Sequence, residues 1–441
     1  MNSQSIPPVP DALAATLREL TNLERVAGVA VTVVRDSQTI GFWSAGRASL
    51  PFRVPITEGT LFHLGSVGKH ITALAIMQLV DAGAVALDTP LGSYVRDLPE
   101  SWAAAPVRCL LTHTSGLPDY GWVIKDWDRP QGREMILKAI GEVPPLFGPG
   151  EAWAYSNTNY LVLGWLIETV SGQAYPDYVR DRLFEPARLP TARVDSAEDV
   201  IPARAEPYEY SGGRFTHAVR IEKSVSAAAD GGALFSAGDI APWSLALSGD
   251  RLVSRALLSE AWTPALLSTG RQVPYGFGWF VERTAGQDIH WHAGRVPGFS
   301  AVLVHLAGAS LWVAVMTNAT PPPPMLLMAL TAAEAFVPGS TFLTLPAAGD
   351  GRDPETERLL QMLERGGAPL NLERLAPEMQ MTLRASGAGS LATLPPDVRV
   401  EPIESYPVGG GRMVRYRATL GTNSAHYLIG WTDDDRMFWM S

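Results

Sequence analysis

Ser66 and Lys69 stand three residues apart where the chain passes from Phe62-His63-Leu64-Gly65 into the apolar run Ala73 to Gly83. A serine hydroxyl is a poor nucleophile until a neighbouring base takes its proton, and a lysine acts as that base only where burial and nearby donors keep its amine neutral. From Lys69 onward Thr72/Ala73, Ile76/Met77 and Leu79/Val80 recur at helical steps, and Gly83 ends the pattern. The spacing predicts a helix with Ser66 at its N-terminal end and Lys69 one turn later on the same face. Amides at that helix end also favour negative charge developing on the serine oxygen. The pair alone decides little, because with four lysines and 29 serines in 441 residues chance supplies about 0.3 such matches. The competing reading makes Ser66 an N-cap and Lys69 a solvated first-turn residue.

Further stretches carry residues of the right types. In Pro149 to Tyr160, Tyr155 and Asn157 precede an apolar helix, Leu161 to Val170, and in an extended segment residues two apart face one side. A phenol near a lysine ammonium has a depressed pKa and passes protons, while an asparagine amide fixes the lysine or a substrate carbonyl. Otherwise Asn157 or Thr158 is a helix cap and Tyr155 a core aromatic. His113, within Leu110 to Pro118, is either a general base or a loop histidine bonded to backbone. Ala228 to Asp239 reads as a glycine turn and a helix capped by Ser236, with Asp239 at the capping-box position, hence structural, or else as part of a pocket wall. His292, Ala293, Gly294 and Arg295 lie in a glycine-containing strand region. Trp122, Trp127, Trp153, Trp279 and Trp291 either line an aromatic acyl pocket or belong to the core.

The elements that must position these groups come from both ends of one region. Asp11 to Arg25 has helical leucine spacing, and Val26 to Arg35 and Thr39 to Ala45 form a hairpin about Asp36-Ser37-Gln38. Ala301 to His305 and Leu311 to Asn318 read as strands of the same antiparallel sheet, and Pro321 to Pro324 introduce a helix, Met325 to Phe336. Residues 1–345 are thus one domain, 346–354 a linker, and 355–441 a small accessory domain. That tail reads as helices over Glu355 to Arg365 and Leu372 to Leu383. Strands follow over Val398 to Tyr406, Arg412 to Leu420, His426 to Trp431 and Met437 to Met440. In the second strand Val414, Tyr416, Ala418 and Leu420 share one face and Arg415 and Arg417 the other, the period of a half-buried sheet. The tail shows no catalytic constellation, which leaves docking, homo-oligomerisation or covering the pocket mouth.

Bulk properties exclude several classes. A hydrophobic share of 46% with 18% charged residues suits a globular protein with a large core, and a formal charge of -10 argues against a nucleic-acid surface. The single cysteine, Cys109, excludes an internal disulfide and a cysteine-rich metal site, and is expected to be a buried, inert thiol. Met1 to Pro10 lacks the charged and apolar regions of a signal peptide, and the most apolar stretches are shorter than a bilayer span. No membrane segment and a cytoplasmic location are expected.

Taken together, Ser66-x-x-Lys69, Tyr155-Ser156-Asn157 and His292-Ala293-Gly294 resemble, in order and spacing, the three motifs of the serine β-lactamase and penicillin-binding superfamily. They look most like its class C β-lactamase-related branch, which includes family VIII carboxylesterases, D-aminopeptidases and D,D-peptidases. The resemblance spans about residues 11 to 338 and implies an α+β, β-lactamase-like fold: an antiparallel sheet flanked by helices plus an all-helical subdomain. It implies Ser66 as nucleophile, Lys69 and Tyr155 managing its proton, and backbone N–H groups of Ser66 and Arg295 as the oxyanion hole. Asn157 would orient Lys69 or substrate, and His292 and Gly294 would line the substrate side. The third motif departs from Lys-Thr-Gly because His292 replaces the lysine, which removes a fixed cation for a β-lactam carboxylate. The expected activity is hydrolysis of esters of small or apolar acyl groups through an acyl-serine, without metal or cofactor. The alternatives are an amidase or peptidase for D-amino-acid or cyclic amides, a weak β-lactamase, or an idle binding module.

Overall fold

Residues Gly28–Arg35 (β1) are almost entirely apolar or β-branched and are buried on both faces, which suits a strand at the centre of a sheet covered by helices on each side. The computed structural model describes residues 7–124, 128, 132–196, 198–219, 221, 228–348, 354–363, 372–386, 398–421 and 423–440. After β1 come Gln38–Ser49 (β2), Val54–Pro55 (β3), Phe280–Thr284 (β4), Gln287–Val296 (β5), Phe299–Leu306 (β6) and Leu311–Thr317 (β7). They form a seven-stranded sheet in the order β4-β5-β6-β7-β1-β2-β3. All its pairings are antiparallel, and β1 is registered by Val31 opposite Val315 and opposite Trp43. The sheet therefore draws on both ends of the region, as the hydrophobic runs predict.

Alternation along β1 assigns its two faces. Val29, Val31 and Val33 pack against Leu13 and Leu17 of Asp11–Thr21 (α1) and against Met328, Ala329 and Ala332 of Met325–Phe336. Ala30 and Val34 face a second core with Lys69–Asp81 (α2), Asn157–Ser171 (α3) and Ala237–Leu247 (α4), which continues into the helical subdomain. α1 stops at Thr21, short of the expected Arg25, because Asn22 turns left-handed (φ 41°). α2 ends where expected, one residue before the Ala82–Gly83 turn, with Gly83 at φ 69°.

The tail is a second, smaller α+β unit. With Met325–Phe336 as α5, its helices are Pro354–Leu363 (α6) and Pro377–Ser386 (α7), and its strands Arg399–Val408 (β8), Gly411–Leu420 (β9), Asn423–Thr432 (β10) and Met437–Met440 (β11). The strands form an antiparallel meander in sequence order. The helix expected over 372–383 is instead a 3-10 turn, Leu372–Arg374, followed by α7 from Pro377, since proline fits only the first turn. Val414, Tyr416 and Ala418 pack against Leu359, Leu375 and Met379, as the alternation predicts. The opposite face is not solvated. Arg415 is buried, donating to Glu282 of β4 at 2.9 Å and to Glu404 at 2.8 Å. Beside it Met413, Leu428, Phe438 and Trp439 pack on Leu267, Val273 and Trp153 of the larger unit. Alternation says which residues share a face and nothing about what covers it. Most of the expected linker, residues 349–353, lies outside the described residues. Among the described residues no helix is long and apolar enough to cross a membrane.

Candidate active site

Gly65–Gly68 forms a 3-10 turn that runs directly into α2, so Ser66 and Lys69 lie one turn apart on a single helix entrance. Lys69 is completely buried. Its Nζ lies 3.1 Å from Ser66 Oγ, 2.8 Å from Asn157 Oδ1 and 2.8 Å from the carbonyl of Asp230. Asn157 Oδ1 and a carbonyl only accept. In its amine form Lys69 therefore spends two N–H groups on these acceptors, and its lone pair is left to face the Ser66 hydroxyl. The solvated first-turn lysine of the competing reading is absent.

The orientation of Asn157 is set from behind. Asp119 Oδ2 accepts from the Asn157 backbone N–H at 3.1 Å and from its Nδ2 at 3.0 Å, while Asp119 Oδ1 accepts from Gly121 N–H at 2.7 Å. Because the carboxylate takes Nδ2, the amide must present Oδ1 to Lys69. Asp119 also serves the first turn of α3, where the unsatisfied amides favour a negative group. Its only local mark in the sequence is its place directly after Pro118, in the stretch carrying His113. Asp230 belongs to the glycine turn, and it lines the cavity wall beside Ser66. Its carbonyl holds Lys69, its carboxylate accepts from Tyr120 Oη at 2.8 Å, and burial raises its pKa with Lys69 pulling the other way.

Tyr155 reaches the same centre, with Lys69 Nζ 5.0 Å from its ring centroid. Its pKa is raised, not depressed as expected: burial outweighs the opposing pull of Lys69 and of Ser66. The buried Tyr155 hydroxyl makes no hydrogen bond of strict geometry, and Lys69 and Ser66 are its polar neighbours. His113 takes the scaffold role. Its Nδ1 faces the Ser156 N–H at 3.2 Å and Asn159 Nδ2 at 3.0 Å, its ring packs on Tyr155 at 4.3 Å, and burial holds its pKa well below the ordinary histidine range.

Gly294 allows β5 to cross the serine turn backbone on backbone. A Cβ there would lie 1.9 Å from Leu64 O and 2.7 Å from Ser66 N, and a Cβ on Gly65 (φ 53°) would lie 2.7 Å from Arg295 N. The backbones of Ser66 and Arg295 thus meet beside one cavity, and an oxyanion hole from their two amides is the expectation that this approach leaves open. His292 departs from its expected substrate contact. It is buried, with Nε2 3.0 Å from Tyr275 Oη and Nδ1 2.6 Å from the Ala293 carbonyl, so both ring nitrogens are engaged. Burial lowers its pKa to about 3, which leaves it neutral.

The cavity at Ser66 holds about 100 Å³ and is lined by His63, Tyr120, Asn157, Asp230 and Arg295 among others. Trp122, Trp153, Trp279 and Trp291 are not among its lining residues, and Trp127 lies outside the described residues. Trp279 is core, Trp122 is exposed, and Trp153 and Trp291 pack in the flank toward the tail. A larger cavity of about 770 Å³, beside Trp262, His290 and His305, contains none of these groups. Cys109 is half-buried, and burial raises its thiol pKa. Among the described residues no group of three histidine, cysteine or acidic side chains could hold a metal ion.

The family profile described as Beta-lactamase matches residues 13–336. Penicillin-binding protein 4* of Bacillus subtilis (strain 168) is 29% identical over 282 residues, 59% of this chain and 61% of that protein. A D-aminopeptidase of Cereibacter sphaeroides (strain ATCC 17029) is 29% identical over 315 residues, 70% of this chain and 60% of that protein. The chain thus spans about three fifths of the length of these curated relatives. The octameric penicillin-binding protein homologue from Pyrococcus abyssi is similar in fold, with a TM-score of 0.65 at 22% identity, covering 97% of this chain and 94% of that one. With the matched profile covering the sheet, the helical subdomain and every residue of the Ser66 cluster, the chain belongs to the Beta-lactamase family.

Proposed function

We propose that this protein is an acyl-serine hydrolase that cleaves the amide bond after an amine-bearing acyl group, of the kind found in D-amino-acid amides and short peptides. The observation that carries the chemistry is the contact of Lys69 Nζ with Ser66 Oγ at 3.1 Å, with its other two partners fixed. Ser66 Oγ attacks the carbonyl as Lys69 takes its proton, and the oxyanion gathers charge between the Ser66 and Arg295 amides. The C–N bond then breaks as a proton passes to the leaving amine, with Tyr155 in reach of that transfer. Water, deprotonated by the same groups, releases the acid and restores the serine.

Two things favour this over the ester reading. The similar protein from C. sphaeroides is a D-aminopeptidase, which also supports the D preference. The cavity carries the carboxyl group of Asp230, held by Tyr120, with Arg295 at its rim, and the third motif lacks the lysine that would bind a carboxylate-bearing ligand. We take Asp230 as the group that would receive a substrate ammonium. The test compares D-alanine p-nitroanilide, its L form, its N-acetyl derivative and p-nitrophenyl butyrate on wild type, Ser66→Ala and Asp230→Asn. Turnover that needs Ser66, prefers the free D-amine and loses that preference in Asp230→Asn supports the reading. Equal cleavage of the N-acetylated anilide, or turnover of the ester alone, refutes it.

A further inference from the structure

We infer that the tail unit is a positioning device for Tyr155, acting through Trp439 and Thr382. The inference rests on the reading of Tyr155 as a member of the catalytic cluster. Its starting point is that the Tyr155 hydroxyl makes no hydrogen bond of strict geometry, and that its polar neighbours are Lys69 and Ser66, the reacting groups themselves. Its place must therefore come from what packs behind its ring and from the backbone that carries it.

That backbone, residues 152–156, belongs to neither helix nor strand. Ala154 N–H is tied to the His113 carbonyl at 3.0 Å, and the Trp153 carbonyl accepts from Thr382 Oγ1 of α7. One side of the anchorage thus comes from the larger unit and the other from the tail. The rings repeat the pattern. Trp439 of β11 meets Trp153 edge-on at 4.8 Å, Trp153 meets Tyr275 at 5.9 Å and His113 at 6.2 Å, and His113 packs on Tyr155 at 4.3 Å. Met381 of α7 adds a partly buried contact to the small cluster of Phe147, Ala152 and Ala154. A continuous series of edge-on and tilted ring contacts therefore runs from β11 to the phenol at Ser66. Aromatic pairs at such distances have preferred geometry as well as buried area, so they transmit position and not only stability.

The face of the tail sheet used here is distinct from its own core. Trp439 and Leu428 belong to the packing against the larger unit, whereas Ile429 and Val414 belong to the core closed by α6 and α7. This separation lets stability and positioning be perturbed apart.

The experiment uses the full chain and four variants: Trp439→Ala, Trp439→Phe, Thr382→Val and Ile429→Ala. For each, kcat and KM are measured on D-alanine p-nitroanilide and p-nitrophenyl butyrate, with the rate of fluorophosphonate labelling at Ser66 and the melting temperature. A displaced catalytic group costs up to about a hundredfold in rate, so Trp439→Ala and Thr382→Val should lower kcat about tenfold or more with KM changed by less than about twofold. Trp439→Phe, which keeps a ring, should recover kcat to within about threefold of wild type. Ile429→Ala should lower the melting temperature most and leave kcat nearly unchanged. Thr382→Val removes one hydroxyl without changing volume, so a folding failure in Trp439→Ala does not remove the test. Unchanged kcat in Trp439→Ala and Thr382→Val, or an equal loss in Ile429→Ala, overturns the positioning role while leaving the Ser66 chemistry intact. Wild type that neither turns over nor labels at Ser66 overturns the reading of the site, and this inference falls with it.

Discussion

Replacing Gly294 by alanine tests the geometry of the oxyanion hole most directly. The added Cβ would lie 1.9 Å from Leu64 O, 2.7 Å from Ser66 N and 2.8 Å from Val67 N, all backbone atoms of the serine turn. A carbon and a carbonyl oxygen settle at about 3.3 Å or more, so β5 and the turn must part by roughly 1.4 Å. Neither side gives way cheaply, because β5 is paired with β6 through Gly294 opposite Ala301 and the turn is continuous with buried α2. Overpacking of this kind costs about 1–3 kcal/mol of stability, which the fold should survive. An oxyanion hole works only with its donors about 2.7–3.1 Å from the oxygen, so a 1.4 Å opening takes one donor out of range, and kcat should fall about 10²–10³-fold. KM should move little, since the lost interaction belongs to the transition state. Circular dichroism would establish that Gly294→Ala is folded, and steady-state kinetics on the anilide or ester would read the loss. A folded variant with kcat within about threefold of wild type refutes the assignment of the Ser66 and Arg295 amides as the hole.

Two further outcomes follow from the same contacts. Ser66→Ala, Lys69→Ala and the double variant should lose activity by nearly the same factor, because the two groups act as one unit; multiplicative losses would show that Lys69 works apart from Ser66. His70 accepts from Trp243 Nε1 at 2.9 Å through Nε2 and is fully buried, and burial lowers its pKa from 6.5 to about 4. Its folded pKa is below its unfolded one, so its contribution is intact above pH 6.5 and is lost as pH falls toward 4. At pH 5 that loss is about 2 kcal/mol. Melting temperature plotted against pH should therefore fall less steeply between 6.5 and 4.5 in His70→Gln, and an unchanged slope would contradict the burial of a neutral imidazole.

Local pattern carried most of the fold and only part of the site. The runs that became β1, β6 and β7 were legible because a buried central strand needs continuous apolar residues. Ser66 and Lys69 were legible because three residues make one helical turn. Asp119 and Asp230 were not, since their partners are remote: Asp119 bonds Asn157 from 38 residues away and Asp230 bonds Lys69 from 161. The ring orientation of His292 was illegible for a related reason. Its position in the motif was visible, but whether its ring faces the cleft or Tyr275 depends on packing that no local spacing encodes. Arg415 shows the same gap in the tail, where a polar alternation that suggests a wet face is satisfied by Glu282 and Glu404 across a buried contact.

The electrostatics of the cluster divide the proton work between its two candidates. Burial pushes the Tyr155 pKa up despite the nearby lysine, so near neutral pH the phenol carries its proton and can donate one before it can accept. A group in that state cannot begin the attack by taking the serine proton. Lys69, with its other two contacts fixed by acceptors, is the group whose remaining direction points at Ser66 Oγ. In the proposed reaction Lys69 therefore opens the cycle, and Tyr155 acts at the second transfer, where the leaving amine must receive a proton. An ester needs that second transfer far less than an amide, because an alkoxide or phenolate leaves more readily than an amide anion. Loss of Tyr155 should consequently harm anilide cleavage more than ester cleavage, and the ratio of the two rates in Tyr155→Phe is the quantity that separates a proton donor at the leaving group from a base at the nucleophile. A base at the nucleophile would depress both substrates alike.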